Sequence, residues 1–394
     1  MKDPRLPVLI IGAGPVGLSL ALALARRQAP VRVYEAETEL SHEARASTLH
    51  PPTLEMLAEW GVIDEVLARG QRVDRLLYWE RSSRQLVADF DFRLIAGNTP
   101  YPFRLLLPQH LLTRLLKPAI EATGFGRVHM EHRFIDFVEQ GDRVVAWFET
   151  PQGLCQAAGA YLCGADGAQS SLRRRLGLGF EGMTYEDRFL QIDIGLDLAP
   201  FYPGIGLVNY IFDPDEWVIA LTFPTFTRVI FRLGSDEDET EAAHPDALRR
   251  RLWRFLAAEP EFVIESWQIY RVHQRVAESF RLGRALLLGD AAHINNPIGS
   301  MGMNSGIHDA HHLAAALAGV LAGGPTTLLD EYSRIRRRIA SERVQTSARR
   351  FYADMSERQR GQRQARNLAL RALAADPVRA RAYLLELSMM ERWI

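Results

Sequence analysis

Residues 8–27 of this 394-residue chain read VLIIGAGPVGLSLALALARR. Val8 through Ala25 carry no charge, which is long enough for a transmembrane helix or for the core of a signal peptide. The same stretch contains three glycines with the spacing Gly-x-Gly-x-x-Gly. Three interpretations therefore compete: a membrane span, an export signal, or a strand and a helix folded around a phosphate.

The residues that follow decide between these interpretations. An export signal ends its apolar run at a small-residue cleavage site, whereas this run meets two arginines and then the sequence VRVYEAE. Val31–Tyr34 is predicted to be a second short strand that ends in the acid Glu35, 18 residues after Gly17. A strand, a glycine turn, a helix, a strand and an acid within about 30 residues are typical of a dinucleotide-binding unit.

Each part of this unit has a mechanical role. Gly12 allows a tight turn, Gly14 lets the backbone approach a pyrophosphate, and Gly17 lets the helix pack closely on the strand. The helix N-terminus then offers unpaired N–H groups and the positive end of its dipole to the phosphates. Glu35 is placed to accept hydrogen bonds from both ribose hydroxyls of an adenosine.

Composition narrows the class of protein. The chain is 47% hydrophobic and 24% charged, as in soluble globular proteins, and its length suits two or three domains or one large fold with an inserted subdomain. A net charge of −1 predicts no nucleic-acid partner. Cys155 and Cys163 are the only cysteines, which excludes a disulfide framework and a cysteine-based zinc site. A reducing, cytoplasmic location and no integral membrane segment are therefore expected.

The spacing of apolar residues, together with prolines and glycines at the ends of these segments, predicts the helices. Thr53–Trp60 follows two prolines and precedes a glycine, and the segment from residue 106 to 124 is amphipathic. A long helix is predicted over Ser305–Leu321, and the arginine-rich remainder from Thr326 is predicted to be helical.

Strand patterns occupy other segments. Residues 76–92 and 133–163 show strand-like stretches, the second with a hairpin signal at Gly141-Asp142. Residues 188–233 are rich in aromatic and β-branched types and predict an antiparallel sheet. Residues 234–246 are predicted to be an acidic loop.

Two further motifs follow predicted strands. The first is LCGADGAQSSLRRRLG, in which an apolar strand ends at Asp166-Gly167. The second is LLLGDAAHINNPIGSMGMNSG, in which a strand ends at Gly289-Asp290 and a helix opens near Asn304. Each dipeptide alone indicates only an ordinary turn. The occurrence of both, in this order and after a Gly-x-Gly-x-x-Gly, is a much more specific signal of function.

With these motifs the chain resembles the group A flavoprotein monooxygenases, typified by para-hydroxybenzoate hydroxylase and phenol hydroxylase, over about residues 5–350. The resemblance implies an α/β fold: a Rossmann-like FAD-binding domain of the glutathione-reductase type (GR2), an inserted antiparallel-sheet substrate domain and a helical C-terminus. The FAD-binding domain is expected at 1–75, 101–180 and 276–345. The substrate domain is expected at 76–100 and 181–275, and the C-terminal helical segment at 346–394.

The resemblance also implies roles for residues. Asp166-Gly167 is associated with FAD and NAD(P)H, Asp290 with the ribityl chain, and Pro297 with the reacting face of the flavin. A helix N-terminus at 303–306 is expected to offer N–H donors to the reduced flavin near N1 and O2, where negative charge develops. The implied FAD contacts are Gly12, Gly14, Pro15, Val16, Gly17, Glu35, Ala36, Arg45, Gln109, Asp166, Gly167, Arg173, Asp290, Pro297, Gly299, Gly302, Met303 and Asn304.

The chain departs from the family pattern after the second motif. Many members read Pro-Pro-x-x-Gly-Gln-Gly where this chain has NPIGSMG at 296–302. The loop is therefore expected to shape a different pocket, and the choice between NADH and NADPH stays open. The candidate catalytic residues are His50 and Pro297, although a loop histidine is more often only structural.

The substrate candidates come from the predicted antiparallel sheet: Tyr210, Thr222, Phe223 and Phe231. Side chains alternate along a strand, so about half of such residues must face away from a pocket. His308, His311 and His312 share one helix face, but no acidic partner supports a metal, and no metal site is predicted.

The resemblance implies an FAD-dependent monooxygenase that hydroxylates a phenol or another electron-rich aromatic compound. In the implied cycle NAD(P)H reduces the flavin, O2 adds at C4a, and the flavin hydroperoxide delivers one oxygen atom to the ring. The alternatives are a reductase or dehydrogenase of the same fold, or a non-enzymatic carrier like the GDP-dissociation inhibitors. A homodimer is left open.

Overall fold

The structure is a computed structural model that describes residues 6–43 and 46–390. Arg45, one of the implied FAD contacts, lies outside the described residues. The helices are α1 Pro15–Arg26, α2 Pro51–Glu59, α3 Ile63–Arg69, α4 Gln109–Ala122, α5 Ser171–Arg175, α6 Glu239–Ala242, α7 Pro245–Leu256, α8 Met301–Leu321, α9 Thr327–Ile339, α10 Gln345–Met355, α11 Arg360–Ala375 and α12 Pro377–Leu387. Short 3-10 helices cover Phe92–Ile95 and Gly289–Ala291, and a π-helical turn covers Ala340–Val344.

The strands divide among four sheets. They are β1 Val8–Ile11, β2 Val31–Tyr34, β3 Thr48–Leu49, β4 Gln71–Val73, β5 Arg75–Glu80, β6 Gln85–Asp91, β7 Arg104–Leu106, β8 Gly126–His129, β9 Arg133–Gln140, β10 Arg143–Thr150, β11 Gly153–Gly159, β12 Tyr161–Gly164, β13 Phe180–Ile194, β14 Val208–Phe212, β15 Val218–Thr222, β16 Thr227–Leu233, β17 Ile264–Ala277, β18 Arg281–Leu282, β19 Ala285–Leu287 and β20 His293–Ile294.

The opening stretch folds as the predicted strand–helix–strand unit. β1 is a continuous apolar run buried on both sides, and α1 begins with Pro15 at its first turn, where a missing N–H costs nothing. β1 pairs in parallel with β2 on one side and with β12 on the other. The six-stranded sheet has the order β18-β19-β12-β1-β2-β8. Strands β2 and β8 are added on one side of β1, and the later strands β12 and β19 are added on its other side, so the strand order reverses between β1 and β12. Ligands of open α/β sheets bind at the carboxyl ends of strands at such a reversal.

The predicted antiparallel sheet is part of an eight-stranded sheet with the order β20-β17-β13-β16-β15-β14-β5-β6. Alternation of side chains gives this sheet two buried faces. The face that we call the pocket face packs against the loop before α8 and against helices α10 to α12. The opposite face, which we call the outer face, packs under α7. The resulting α/β architecture with a helical C-terminal part confirms the predicted fold class.

Two sequence predictions about local structure were wrong. The acidic segment 234–246 is not simply a loop, because Asp238 caps the short helix α6 and Pro245 starts α7. The long helix begins at Met301 rather than at Ser305. The hairpin expected at Gly141-Asp142 does join β9 to β10. Among the described helices, none has both the length and the apolar character needed to cross a bilayer.

Candidate active site

The glycine turn after β1 forms a cradle. Gly12 has a φ of +100°, and an added Cβ there would lie 2.5 Å from the carbonyl oxygen of Ala165 at the end of β12. A Cβ on Gly17 would fall well inside van der Waals contact with the Gly12 carbonyl oxygen. A Cβ on Gly14, by contrast, would meet no protein atom within 4 Å. Two of the glycines are therefore required by packing, and Gly14 borders open space beside the helix N-terminus.

The N-termini of α1 and α8 carry no side-chain cap. The N-cap of α1 is Gly14, and the N-cap of α8 is Ser300, whose side chain makes no capping hydrogen bond and whose φ is +59°. The first N–H groups of a helix need an acceptor, and a phosphate or a negatively charged ring edge is a suitable one. Both ends therefore fit FAD, one at its pyrophosphate and one at its flavin. Because α8 starts at Met301, the free N–H groups begin two residues earlier than the predicted 303–306.

Glu35 supports the glycine turn. Its Oε2 accepts a hydrogen bond of 2.7 Å from the backbone N–H of Ala13, and its Oε1 accepts one of 3.2 Å from Glu37 N–H. A carboxylate has about four lone-pair sites, so capacity for ribose hydroxyls is left. The prediction that Glu35 binds a ribose remains a prediction, and the bond to Ala13 is an additional positioning role.

The Asp-Gly motif is engaged in local structure. The carboxylate of Asp166 accepts hydrogen bonds from Ser170 Oγ (2.6 Å) and Ser171 N–H (2.7 Å), which fixes the start of α5. Arg173 is buried, and its guanidinium donates to the carbonyl oxygens of Ala291 and Ala168, each at 2.8 Å. Arg173 therefore bridges the two motif loops, and its contact with FAD remains a prediction.

A buried ion cluster holds the Gly-Asp turn. Asp309 of α8 is 0% exposed, and its Oδ2 accepts hydrogen bonds from Gly289 N–H (3.0 Å) and from His293 Nε2 (2.7 Å). Its Oδ1 accepts a 2.6 Å bond from Nε of Arg336, which is 1% exposed. The cluster fixes the turn whose next residue, Asp290, is exposed at the crevice.

Asn304 joins three segments beside the α8 N-terminus. Its Nδ2 donates to the carbonyl oxygens of Thr48 (2.8 Å) and Ser300 (2.7 Å). Its Oδ1 accepts from His50 N–H (2.9 Å) and Thr53 Oγ1 (2.7 Å). The side chain is thus fully engaged with protein, and only its backbone could serve FAD in the way the resemblance implies.

The departure from the family pattern has a structural counterpart in the loop of residues 296–300. Asn296 is 0% exposed and donates from Nδ2 to Tyr185 Oη (3.1 Å) and to the Ala348 carbonyl oxygen (3.0 Å). Gly299 N–H donates to Tyr210 Oη at 3.2 Å. Pro297 is exposed between these anchors, so the loop presents the proline while the sheet and α10 hold its backbone.

A small cavity, which we call the tyrosine cavity, lies beside this loop on the pocket face. Tyr78 and Tyr383 share a hydroxyl–hydroxyl hydrogen bond of 2.9 Å, and the Tyr78 ring stacks on Tyr210 with ring centroids 5.5 Å apart. Burial raises the pKa of Tyr78 and of Tyr383, so both hydroxyls stay protonated at neutral pH. The lining residues are Tyr78, Tyr210, Phe212, Ile298, Phe351, Asp354, Met355, Leu370 and Tyr383.

The four predicted substrate residues separate between the two faces of the sheet. Tyr210 and Phe223 lie on the pocket face. Phe231 lies on the outer face against Phe255 of α7, so its prediction as a pocket residue was wrong. Thr222 alternates with Phe223 and therefore also points to the outer face. The sequence did not single out Tyr78 or Tyr383, because neither lies in a recognisable motif.

His50 is completely buried at the N-cap of α2. Its ring faces the carbonyl oxygens of Gly299 and Ser388 without reaching hydrogen-bond geometry. Burial, together with the positive charge of Arg104, holds the pKa of His50 well below its ordinary value. His50 is thus a neutral imidazole next to the 296–300 loop, and its catalytic role remains a prediction.

Buried histidines predict loss of stability in acid. Burial, with a smaller effect of Arg336, lowers the pKa of His312 to about 4, and burial lowers that of His308 as well. Unfolded histidines bind a proton below about pH 6.5. The stability that these groups confer is therefore present above pH 6.5 and is lost as the pH falls towards 4. For the partly exposed His312 we expect a loss of about 2 kcal/mol.

Urea unfolding at several pH values between 7.5 and 4.5 measures this loss. The variant His312→Gln should show a flatter dependence of the unfolding free energy on pH. Equal slopes for variant and wild type would contradict the assignment.

A wider cleft of about 910 Å³ lies over the outer face. Its charged side chains pair with one another: Arg81 bonds Glu216 at 2.8 Å, and Arg251 approaches the same carboxylate at 3.1 Å. These ion pairs engage part of a charged lining that comprises six arginines and five acidic residues. None of the residues predicted to contact FAD or substrate lines this cleft, so we do not assign the active site to it.

Comparisons with known proteins identify the family of the chain. Residues 5–347 match the family described as FAD binding domain. Para-nitrophenol 4-monooxygenase of Pseudomonas sp. (strain WBC-3) is 32% identical over 391 residues, which cover 97% of this chain and 95% of that protein.

Two solved structures share the architecture. The p-nitrophenol 4-monooxygenase PnpA from Pseudomonas putida DLL-E4 superposes with a TM-score of 0.93 at 30% identity, covering 99% of both chains. Aklavinone-11 hydroxylase, solved with FAD and aklavinone, has a TM-score of 0.80 at 28% identity, covering 90% of this chain and 70% of that one.

Proposed function

This chain belongs to the FAD-binding family of aromatic monooxygenases, and on that premise we propose that it hydroxylates a single-ring phenol held in the tyrosine cavity. The chain is an FAD-dependent monooxygenase that uses NADH or NADPH as reductant. We propose O2 as the second substrate. A compact phenol with a substituent para to its hydroxyl is the preferred candidate, because the relative that matches almost the whole chain is named for para-nitrophenol.

The observation that carries this proposal is the contact between the cavity and the 296–300 loop. Ile298 lines the cavity, and the adjacent Gly299 is hydrogen-bonded to Tyr210, which lines it too. Pro297 is exposed on the same loop. The cavity has a volume of about 20 Å³, which is smaller than a phenol, so we propose that its walls move apart to admit the ring. The bound ring would then lie next to the loop that, in the resemblance, faces the flavin.

The cofactor would be held by residues already described. The N–H groups at the start of α1 and Gly14 fit the pyrophosphate, Glu35 fits a ribose, and the α8 N-terminus fits the flavin. Bound FAD supplies the electron transfer and the oxygen activation. The protein's part is to orient the phenol and to exclude water from the reacting ring.

The tyrosines can orient the phenol because they remain protonated donors. Tyr78 and Tyr383 bond to each other, and either hydroxyl can turn towards a bound phenol oxygen. Ile298, Phe212 and Phe351 supply the apolar walls that a flat ring needs. We therefore assign orientation of the substrate to the tyrosines and desolvation to the apolar walls.

Substitutions on the two faces of the sheet test this assignment. Tyr210→Phe and Tyr383→Phe should each weaken binding of 4-nitrophenol by about tenfold, the usual effect of one buried hydrogen bond of about 1.4 kcal/mol. They should also raise the fraction of NADH oxidised without hydroxylated product, measured as hydrogen peroxide release.

The matched control is Phe231→Leu, which changes an aromatic side chain of the same sheet on its outer face. It should leave affinity, coupling and FAD content as in the wild type. If the tyrosine variants keep wild-type affinity and coupling, or if Phe231→Leu changes them equally, the substrate does not lie in the tyrosine cavity.

A further inference from the structure

A buried arginine near the tyrosine cavity makes one hydrogen bond within the described residues and lies over the Phe92 ring, with its Cζ 5.6 Å from the ring centroid. Arg104 of β7 is 0% exposed, and its Nη2 donates to the carbonyl oxygen of Leu387 at 3.0 Å. Its Nε and Nη1 have no hydrogen-bond partner within the described residues, and no described carboxylate lies within ion-pair distance of it. Most of the donors of a permanent cation are therefore unused in the protein interior.

Other unpaired polar groups surround it. Ser388 is 0% exposed and its Oγ has no partner among the described residues, and the His50 ring nitrogens are likewise without a hydrogen bond there. Arg104 bonds the carbonyl oxygen of Leu387, four residues after Tyr383 of the tyrosine cavity, and the next residue of β7, Leu105, pairs with Leu49, which precedes His50. The three side chains come from β7, α2 and the turn after α12, so the fold has brought them together from distant positions.

An arrangement of this kind is costly without a ligand. A buried charge is stable only when it is paired and hydrogen-bonded, and leaving one unpaired costs several kcal/mol. A guanidinium presents its N–H groups as a planar fork that matches the two oxygens of a planar anion or of a nitro group. A side chain of Asp or Glu would have met this need cheaply, but the described fold places none there.

We propose that Arg104, with His50 and Ser388 beside it, binds a hydrogen-bond acceptor of the aromatic substrate. This acceptor is either a nitro group or an ionised phenol oxygen. The proposal rests on the proposed function and specifies its substrate class: phenols that carry, or readily become, such an acceptor. Arg104 would supply charged donors, and neutral His50 and the Ser388 hydroxyl would supply further hydrogen bonds.

Substitution of Arg104 tests the proposal on the FAD-loaded enzyme. Three probes separate the sources of the oxygen group: 4-nitrophenol carries both, 4-nitrotoluene carries only the nitro group, and 4-cresol carries only a neutral hydroxyl at pH 7. Dissociation constants are measured from the change in the flavin absorbance spectrum. Arg104→Met should weaken the binding of 4-nitrophenol by about 10- to 100-fold, as for loss of a charged hydrogen bond. The same change should weaken the binding of 4-cresol by no more than about twofold.

The third probe identifies the group. A parallel loss for 4-nitrotoluene assigns the site to the nitro group, and an unchanged affinity assigns it to the ionised oxygen. Arg104→Lys keeps the charge without the fork and should restore part of the affinity. Arg72→Met, on the neighbouring strand β4, removes an exposed arginine and is the matched control.

Two outcomes would overturn the proposal. Equal weakening of 4-cresol and 4-nitrophenol by Arg104→Met would show a packing role, and loss of FAD with unchanged probe ratios would assign the donors to the cofactor. Should Arg104→Met fail to fold, Ser388→Ala gives the second test. It should weaken the binding of 4-nitrophenol by at least about twofold relative to 4-cresol. An unchanged ratio of the two dissociation constants would contradict the proposal. Hydroxylation of 4-cresol by these variants would keep the proposed function intact whichever way the selectivity falls.

Discussion

Gly14→Val is expected to give a folded, colourless protein. The backbone of Gly14 has φ −70° and ψ 176°, which valine adopts readily, and an added Cβ meets no protein atom within 4 Å. The side chain would instead fill the space in front of the α1 N-terminus, where the pyrophosphate fits. The ratio of flavin to protein after purification should fall at least about tenfold, and added FAD should no longer raise the melting temperature.

The control is the neighbouring glycine. Gly17→Val places its Cβ against the Gly12 carbonyl oxygen, so the backbone itself must move and the protein should lose its fold. In the wild type, free FAD at a hundredfold excess over Kd should stabilise the fold by about 2.7 kcal/mol. A Gly14→Val protein that purifies with full flavin content would show that the pyrophosphate lies elsewhere.

Arg336→Met should be the most destabilising single change outside the glycine turn. It leaves the fully buried Asp309 carboxylate with His293 and one backbone N–H but without its cationic partner. Removal of one member of a buried ion pair costs about 3–5 kcal/mol. Urea unfolding of the FAD-free protein measures the loss, and FAD affinity should fall too, because the Gly289 turn is released.

Arg334→Met is the matched control on the same helix. Arg334 is 63% exposed and lies 4.0 Å from Glu331, a surface pair that contributes about 0.5 kcal/mol at most. A second comparison, Asp309→Asn combined with Arg336→Met, should recover part of the stability because no charge is left buried. If Arg336→Met and Arg334→Met lose equally little stability, the cluster does not support the Gly-Asp turn.

Much of the FAD-binding fold could be predicted from the sequence because its signals are local. The apolar strand, the glycine spacing and the acid after β2 lie within one short stretch, and each constrains the backbone directly. The same holds for the hairpin at Gly141-Asp142, where a turn dipeptide separates two alternating strands. The start of α8 was missed because Gly302 weakens the helical signal of its first turn, while the Ser300 backbone conformation sets the boundary.

The substrate site could be predicted only in part because it depends on contacts between distant segments. Tyr78 and Tyr383 meet only through the packing of α12 on β5 and β6, which no local pattern announces. Phe231 looked equivalent to Phe223 by composition, and only the strand register puts them on opposite faces. Arg104 was one arginine among many until its burial distinguished it.

The order of strands in the six-stranded sheet has a consequence for how the chain folds. β1, at residues 8–11, is completed by β12 at 161–164, and β12 in turn by β19 at 285–287. Loop closure over such separations carries an entropic cost that must be met before the pairing gives any stability, and folds of this type mature slowly. During synthesis the apolar β1 and α1 therefore stay exposed to solvent until the strands that cover them have been synthesised. We expect fragments of the chain that stop before β19 to aggregate. We also expect that the substrate sheet can be exchanged between relatives only if β1, β12 and β19 all come from the same parent protein.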